Sequence, residues 1–97
     1  GSLQYVNPFF LEELFLKIRE YQMINLFIGE PVSLPFIDNK KKIISKYRRK
    51  TSFSHRYDEY AKKSGLNIIS NRVIRPYTKN DNHKYNVTGH FDLHVSN

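Results

Sequence analysis

A dense run of basic side chains is the most marked chemical feature of this sequence. Seven of them lie within eleven positions, namely Lys40, Lys41, Lys42, Lys46, Arg48, Arg49 and Lys50. Like charges at this density repel one another, which favours a phosphate backbone or an acidic protein as partner. Four residues further along extend the predicted binding surface, namely His55, Arg56, Lys62 and Lys63. The alternative interpretation is a solvated face whose lysine stems cover apolar surface.

A second group with chemical potential is His90, Asp92 and His94, which occupy alternate positions near the end of the sequence. Alternate strand positions share one face and lie about 7 Å apart. Imidazole and carboxylate are zinc ligands, so a metal-dependent enzyme fragment is one interpretation of this group. The favoured interpretation is a polar, solvated strand face, with Asp92 paired to a cross-strand Arg72 or Arg75. We therefore predict no metal site.

Other catalytic signatures are missing from the sequence. There is no phosphate-binding loop and no dinucleotide-binding glycine motif, and cysteine is absent altogether. Serine and histidine occur, but no local pattern links them as nucleophile and base. The sequence predicts a protein that is not an enzyme and that has neither a cofactor nor a small-molecule substrate.

Length and charge set the broad class. The chain has 97 residues and a formal net charge of +7, which suits one domain with a single modest core. We interpret residues 1–2 as the remnant of an expression tag and residues 3–97 as the domain. No apolar run approaches the roughly 18 residues that a membrane span needs, so no membrane partner is expected.

The elements that position these residues follow from local patterns. Strict alternation over residues 85–95 predicts a strand with one buried face, paired with a strand over residues 67–77. Asn7-Pro8 predicts a helix start, and the helix extends to about Ile24. Further helices are predicted over residues 39–49 and from the Thr51–Ser54 turn to Ser64. Gly65 is expected to end the last helix in the left-handed conformation, with Leu66 folding back near Ala61.

Two other segments complete the prediction. Gly29, Pro31 and Pro35 predict a loop over residues 29–36, and residues 25–28 fit either a helix end or a short strand. The phenylalanines are expected in the core rather than on a binding surface, namely Phe9, Phe10, Phe15, Phe27, Phe36 and Phe53. The remaining predicted core residues are Leu11, Leu14, Ile18, Ile44, Tyr57, Ala61, Leu66, Val73, Val87, Phe91 and Leu93.

This element order resembles the winged-helix family, in which a helix-turn-helix is followed by a β-hairpin wing. The resemblance rests on the order of elements, on the turn at residues 50–54 and on the polar loop at residues 78–84. It implies an α+β fold with three helices, the first central and buried, packed on a small antiparallel sheet with a C-terminal hairpin. A sequence-reading transcription regulator is the alternative, but Asp58 and Glu59 on the third helix would repel phosphate.

Size and the terminal hairpin also resemble the C-terminal winged-helix domain of the middle subunit of replication protein A and of the telomeric CST complex. That resemblance implies a non-catalytic interaction module of a nuclear complex that maintains telomeric single-stranded DNA. Its partners would be other subunits of the complex, bound through the basic face. DNA would be a second partner, bound weakly and with tolerance of sequence.

Overall fold

The computed structural model describes residues 3–21, 25–32, 43–49, 51–74 and 89–97. In chain order they form a 3-10 turn (Leu3–Tyr5), α1 (Pro8–Glu20), β1 (Asn25–Val32), β2 (Ser45–Arg49), β3 (Ser52–His55), α2 (Tyr57–Ser64), β4 (Asn67–Ile74) and β5 (Gly89–Ser96). Neither of these α-helices has the length and apolar character needed to cross a membrane.

The strands form two antiparallel sheets. The larger has the order β1-β5-β4, so the last strand in the chain lies in the centre. The smaller is the β2–β3 hairpin. Helices α1 and α2 pack against each other, and α2 also contacts β4 and β5. The core therefore lies between the helices and one face of the larger sheet.

The alternating pattern of β5 is confirmed over the part that the structure describes. Phe91, Leu93 and Val95 are buried, whereas the residues between them are partly exposed. The pairing of β4 with β5 is also confirmed, although β5 has a second neighbour in β1. Residues 75–88 lie outside the described residues, and they include the predicted polar loop, Arg75 and Val87.

Strand β4 contains an irregularity that changes which residues face the core. Ile68 is opposite Val95, but the register shifts between Ile68 and Ser70. The intervening Ile69 is displaced outward and is exposed, whereas Ile68 and Val73 pack against the core. Simple alternation would place Ile69 and Val73 on the same face, and the bulge reverses that assignment.

Both predicted helix signals are confirmed. The Asn7 side chain accepts a hydrogen bond from the backbone N–H of Phe9 at 2.9 Å, and Pro8 occupies the first helical position. Gly65 ends α2 with φ of 84°, in the left-handed region. The backbone N–H of Leu66 then bonds to the Ala61 carbonyl at 3.0 Å, and both side chains are buried.

The predicted winged-helix arrangement is wrong, because the described residues contain two α-helices and five strands. The second half of the predicted helix over residues 39–49 is strand β2, and Phe53 lies in β3 rather than on a third helix. Strand pairing places Ser45 opposite His55, and the rings of Tyr47 and Phe53 in edge contact with centroids 5.8 Å apart. These cross-strand contacts outweigh a helix with few apolar anchors.

The predicted loop at Gly29 is also wrong over its first part, since β1 continues to Val32. Pro31 is compatible with this strand because β1 lies at the edge of the sheet, where a missing N–H breaks no interior ladder. Residues 33–36 lie outside the described residues. The ambiguous segment 25–28 is part of the same strand.

The core differs from the predicted one at several positions. Leu11 and Phe15 of α1 are fully buried, but Leu14 is 36% exposed, so α1 is buried along one stripe rather than all round. Ile18, Ile44 and Val73 are partly buried against the core. The prediction that all the phenylalanines are internal is wrong, because three of them are exposed, namely Phe9, Phe10 and Phe27. Core residues absent from the prediction are Ile28 and Val32.

Candidate functional site

The solvent-facing side of the three-stranded sheet carries an ordered set of side chains, here called the outer sheet face. Its members lie in rows across the strands, and the registers give these rows as Phe27–His94–Ser70, Gly29–Asp92–Arg72 and Pro31–His90. Each row is two residues further along each strand, so rows are about 7 Å apart. The face therefore combines aromatic, acidic and basic groups within a small area.

An exposed aromatic pair forms one end of this face. Phe27 is 72% exposed, and its ring stacks on the imidazole of His94 with centroids 4.1 Å apart and an interplanar angle of 19°. The amide oxygen of Asn25 is 2.9 Å from Nε2 of His94, which assigns the imidazole proton to that nitrogen. The hydrogen bond from His94 to Asn25 thus fixes the position of the imidazole in the stack, while much of the Phe27 side chain stays exposed.

Charged groups occupy the neighbouring rows. The Asp92 carboxylate lies 3.6 Å from Nη2 of Arg72 and 3.7 Å from Nε2 of His90. These separations exceed hydrogen-bond length, so the Arg72–Asp92 contact is a loose ion pair and the His90–Asp92 contact is a loose polar contact at a partly exposed position. Because it has no side chain, Gly29 leaves room for His90: a Cβ at Gly29 would lie 3.1 Å from Nε2 of that imidazole.

An open groove of about 780 Å³ runs along this face. Its lining includes Phe27, Gly29, Ser70, Arg72, Asp92 and His94. An exposed ring beside cationic and hydrogen-bonding groups on a sheet surface can stack an unpaired base and contact its phosphate and its polar edge.

The structure gives no support for metal binding by His90, Asp92 and His94. Among the residues that the structure describes, no three His, Cys, Asp or Glu side chains are placed to hold a metal ion. His94 turns its ring to Phe27 and bonds to Asn25, while His90 and Asp92 face each other. A two-residue set falls short of the three or four ligands usual for zinc.

The basic residues predicted as a binding surface lie in different settings where the structure describes them. Lys40, Lys41, Lys42 and Lys50 lie outside the described residues, as does the side chain of Arg49. Lys46, Lys62 and Lys63 are exposed. The Lys62 and Lys63 ammonium groups lie 3.5 Å from Glu59 and 3.3 Å from Glu12, in surface ion pairs.

Arg48 is turned into the protein instead of toward a partner. Its guanidinium donates to the Pro31 carbonyl at 2.9 Å and to the side-chain oxygen of Gln4. The backbone N–H of Gln4 in turn donates to buried Glu30 at 2.8 Å. Burial lowers the pKa of Arg48, and the Glu30 carboxylate opposes that change. Arg48 therefore connects β2 to β1 and to the 3-10 turn.

His55 belongs to a buried polar network and has no exposed surface. Its Nε2–H donates to the Val6 carbonyl at 2.9 Å, which leaves Nδ1 to accept the Ser45 hydroxyl at 2.7 Å. The Tyr60 hydroxyl also contacts the Ser45 oxygen. Burial lowers the pKa of His55 to about 4. A serine and a histidine are thus brought together, but in the interior, where they connect three elements.

Arg56 and Asp58 form a further structural pair at the start of α2. The guanidinium bonds both carboxylate oxygens, at 3.2 and 3.1 Å, and Asn71 donates to the same carboxylate at 3.2 Å. Burial raises the pKa of the Asp58 carboxyl, but these bonds and the Arg56 charge outweigh it and leave the pKa below its usual value. Asp58 is buried, so it does not face solvent beside Glu59 as predicted.

Comparison with known proteins identifies no relative: no family model, no curated protein and no solved structure matches this chain. The winged-helix and telomeric resemblances therefore receive no support from these comparisons. Within the outer sheet face, the sequence had indicated His90, Asp92 and His94 as a group and Arg72 as a partner of Asp92. It had missed Phe27, whose exposure follows from its place between inward-facing Leu26 and Ile28 on β1.

Proposed function

We propose that this domain is a non-catalytic module that binds single-stranded nucleic acid on its outer sheet face. The observation that supports it most directly is the exposed Phe27 ring, stacked on His94 beside Arg72. Every base has a π-face, so an exposed ring on a sheet is a general platform for unpaired bases. The net charge of +7 attracts the phosphate backbone to the domain from a distance.

The chemistry of the face also limits the expected affinity. Arg72 supplies one cation for phosphate, but Asp92 in the same row repels it. One stacking position and few phosphate contacts suit weak binding, with Kd in the micromolar range or poorer, roughly the range of non-specific complexes. Duplex DNA is not the expected ligand, because its bases are stacked on one another and unavailable to Phe27.

The test is fluorescence anisotropy with labelled single-stranded DNA and RNA of mixed sequence and with a duplex control, across a series of salt concentrations. Base stacking on an aromatic ring contributes about 1–3 kcal/mol. We therefore expect Phe27→Ala to weaken single-strand binding by roughly 5- to 150-fold. Arg72→Gln should weaken binding and reduce its dependence on salt, since one phosphate contact is lost.

Phe9→Ala is the matched control, because Phe9 is 64% exposed on α1, away from the outer sheet face. This variant removes the same ring from the surface and should leave oligonucleotide affinity unchanged. Equal loss in both variants would argue against a defined site on the sheet. Preferential binding of the duplex, or no binding of any oligonucleotide, would overturn the proposal.

Membership of a nuclear complex that maintains telomeric or other single-stranded DNA remains a prediction, as does docking to other subunits. The feature that favours a protein partner is an exposed aromatic pair on α1, in which Phe9 and Phe10 pack edge to face with centroids 5.7 Å apart. Reconstitution of a candidate complex with wild type and with Phe9→Ser plus Phe10→Ser tests this second candidate. Unchanged assembly of the double variant would argue against α1 as the docking surface.

A further inference from the structure

We infer that the outer sheet face prefers guanine among the bases that it stacks, an inference that rests on the proposed single-strand binding. The observation behind it is the relation between Asp92 and His90. Oδ1 of the carboxylate and Nε2 of the imidazole are 3.7 Å apart, and both are next to Gly29, which has no side chain to cover them. Two acceptor oxygens followed by a ring N–H form a short hydrogen-bonding edge.

The order of groups along that edge matches guanine. An ionised carboxylate offers acceptors only, and the nearby negative charge favours the tautomer of His90 that carries its proton on Nε2. The resulting sequence is acceptor, acceptor, donor, which is the order on the pairing edge of cytosine. Guanine presents the complement, with the 2-amino and N1–H groups as donors and O6 as acceptor. Adenine lacks both the 2-amino group and N1–H, and it has an amino group in place of O6.

The position of this edge relative to the aromatic stack makes simultaneous contact feasible. Gly29 is two residues along β1 from Phe27, about 7 Å away, and it is opposite Asp92, whose Oδ1 lies 3.6 Å from where a Cβ of Gly29 would be. A purine stacked on Phe27 spans that distance with its pairing edge toward Asp92. The carboxylate is available because its contacts with Arg72 and His90 are longer than hydrogen bonds, which leaves lone pairs for a base.

The arrangement also gives Asp92 a role that general phosphate binding does not explain. A carboxylate in the centre of a surface for an anionic polymer weakens non-specific binding, because it repels phosphate. The same carboxylate gains two hydrogen bonds when guanine is present. Asp92 therefore acts as a selectivity group, lowering the affinity for other bases relative to guanine.

The test compares thymidine decamers that carry one central guanine, inosine or adenine, each as labelled single-stranded DNA and as the matching uridine-based RNA. A bidentate base contact usually discriminates by more than fivefold. For wild type we expect the guanine oligonucleotide to bind about 5- to 10-fold more tightly than the adenine one. Inosine, which lacks the 2-amino group, should lie between them.

Asp92→Asn is the main variant, because it keeps the shape of the side chain and replaces an acceptor by a donor. It should reduce the preference for guanine over adenine to less than about twofold. Binding of plain oligothymidine should be kept or strengthened, since one negative charge is removed. Glu13→Gln, the same change of charge on an exposed residue of α1, is the matched control and should leave the preference unchanged.

His90→Ala separates the two parts of the edge. Loss of the donor to O6 should weaken the preference for guanine over adenine, while the ratio between guanine and inosine stays at the wild-type value. Equal binding of all three oligonucleotides by wild type, with Phe27-dependent affinity retained, would overturn the guanine inference alone. A guanine preference that survives Asp92→Asn would overturn the assignment to this edge. Absence of binding to every oligonucleotide would overturn the proposed function and this inference together.

Discussion

The Ser45 hydroxyl donates to Nδ1 of His55 at 2.7 Å, and this buried bond joins the two strands of the smaller sheet. The other ring nitrogen of His55 is a donor to Val6, so Nδ1 accepts from Ser45 while the imidazole is neutral. Protonation would turn Nδ1 into a donor, reverse the Ser45 bond and place a charge in the interior. The stability of this part of the fold is thereby linked to pH.

Acid should therefore destabilise the protein before its carboxylates titrate. The pKa of His55 is about 4 in the folded protein and about 6.5 in an unfolded chain, so the unfolded state binds more protons between those values. The contribution of His55 to the free energy of unfolding is fully present above about pH 6.5, and it is lost as the pH decreases toward 4. We expect a loss of about 2 kcal/mol between pH 7.5 and pH 5, measured by urea unfolding.

His55→Gln, which does not titrate, is the control for this effect. Its free energy of unfolding should be lower than that of wild type at neutral pH but nearly constant from pH 7.5 to pH 5. An equally steep decrease in the variant would assign the acid sensitivity to other groups. Asp58 contributes separately, because its lowered pKa places its effect at still lower pH.

Removal of the buried Tyr57 hydroxyl and removal of the buried Tyr60 hydroxyl should change the free energy of unfolding in opposite directions. The Tyr60 hydroxyl bonds to Ser45, whereas the Tyr57 hydroxyl has no hydrogen-bond partner in the described part of the chain. Tyr60→Phe should lower the free energy of unfolding by about 1 kcal/mol, since Ser45 loses a partner. Tyr57→Phe removes an unsatisfied buried group and should raise it by about 1 kcal/mol. Chemical denaturation of both variants checks the pair, and a destabilised Tyr57→Phe would reveal a partner for that hydroxyl.

Two adjacent residues of β5 give a direct test of its orientation. Phe91 is 1% exposed and contacts the Tyr57 ring edge to face, with centroids 5.7 Å apart. Phe91→Ala should lower the free energy of unfolding by about 3–5 kcal/mol, through lost burial and the cavity left behind. His90→Ala, on the opposite side of the strand, should change it by less than about 0.5 kcal/mol. A large loss for His90→Ala with little change for Phe91→Ala would mean that the strand faces were inverted.

Local pattern was enough where a structural element is determined by its own residues. Alternation in β5, the Asn7-Pro8 helix start and the Gly65 helix end each rest on groups within a few positions of one another. The β2–β3 hairpin was missed for the converse reason. Its strands depend on cross-strand contacts such as Ser45 with His55 and Tyr47 with Phe53. The basic residues interspersed with these positions in the sequence obscured the spacing of the apolar ones.

The candidate site was only partly predictable because its components come from separate strands. The group on β5 was visible as an alternating triplet, whereas the exposure of Phe27 depends on how β1 pairs with β5. Arg48 shows the opposite error. A basic residue in a basic run suggests a surface, but its acceptors lie on Gln4 and Pro31, which no local pattern connects to it.

The central position of β5 determines when the larger sheet can form. β1 and β4 do not pair with each other, and both depend on a strand that the ribosome synthesises after them. The helices and the β2–β3 hairpin involve neighbouring segments and can form early, whereas pairing Asn25 with Ser96 closes a long loop. Before β5 emerges from the ribosome, β1 and β4 therefore each expose an unpaired strand edge. Aggregation competes with folding at that stage.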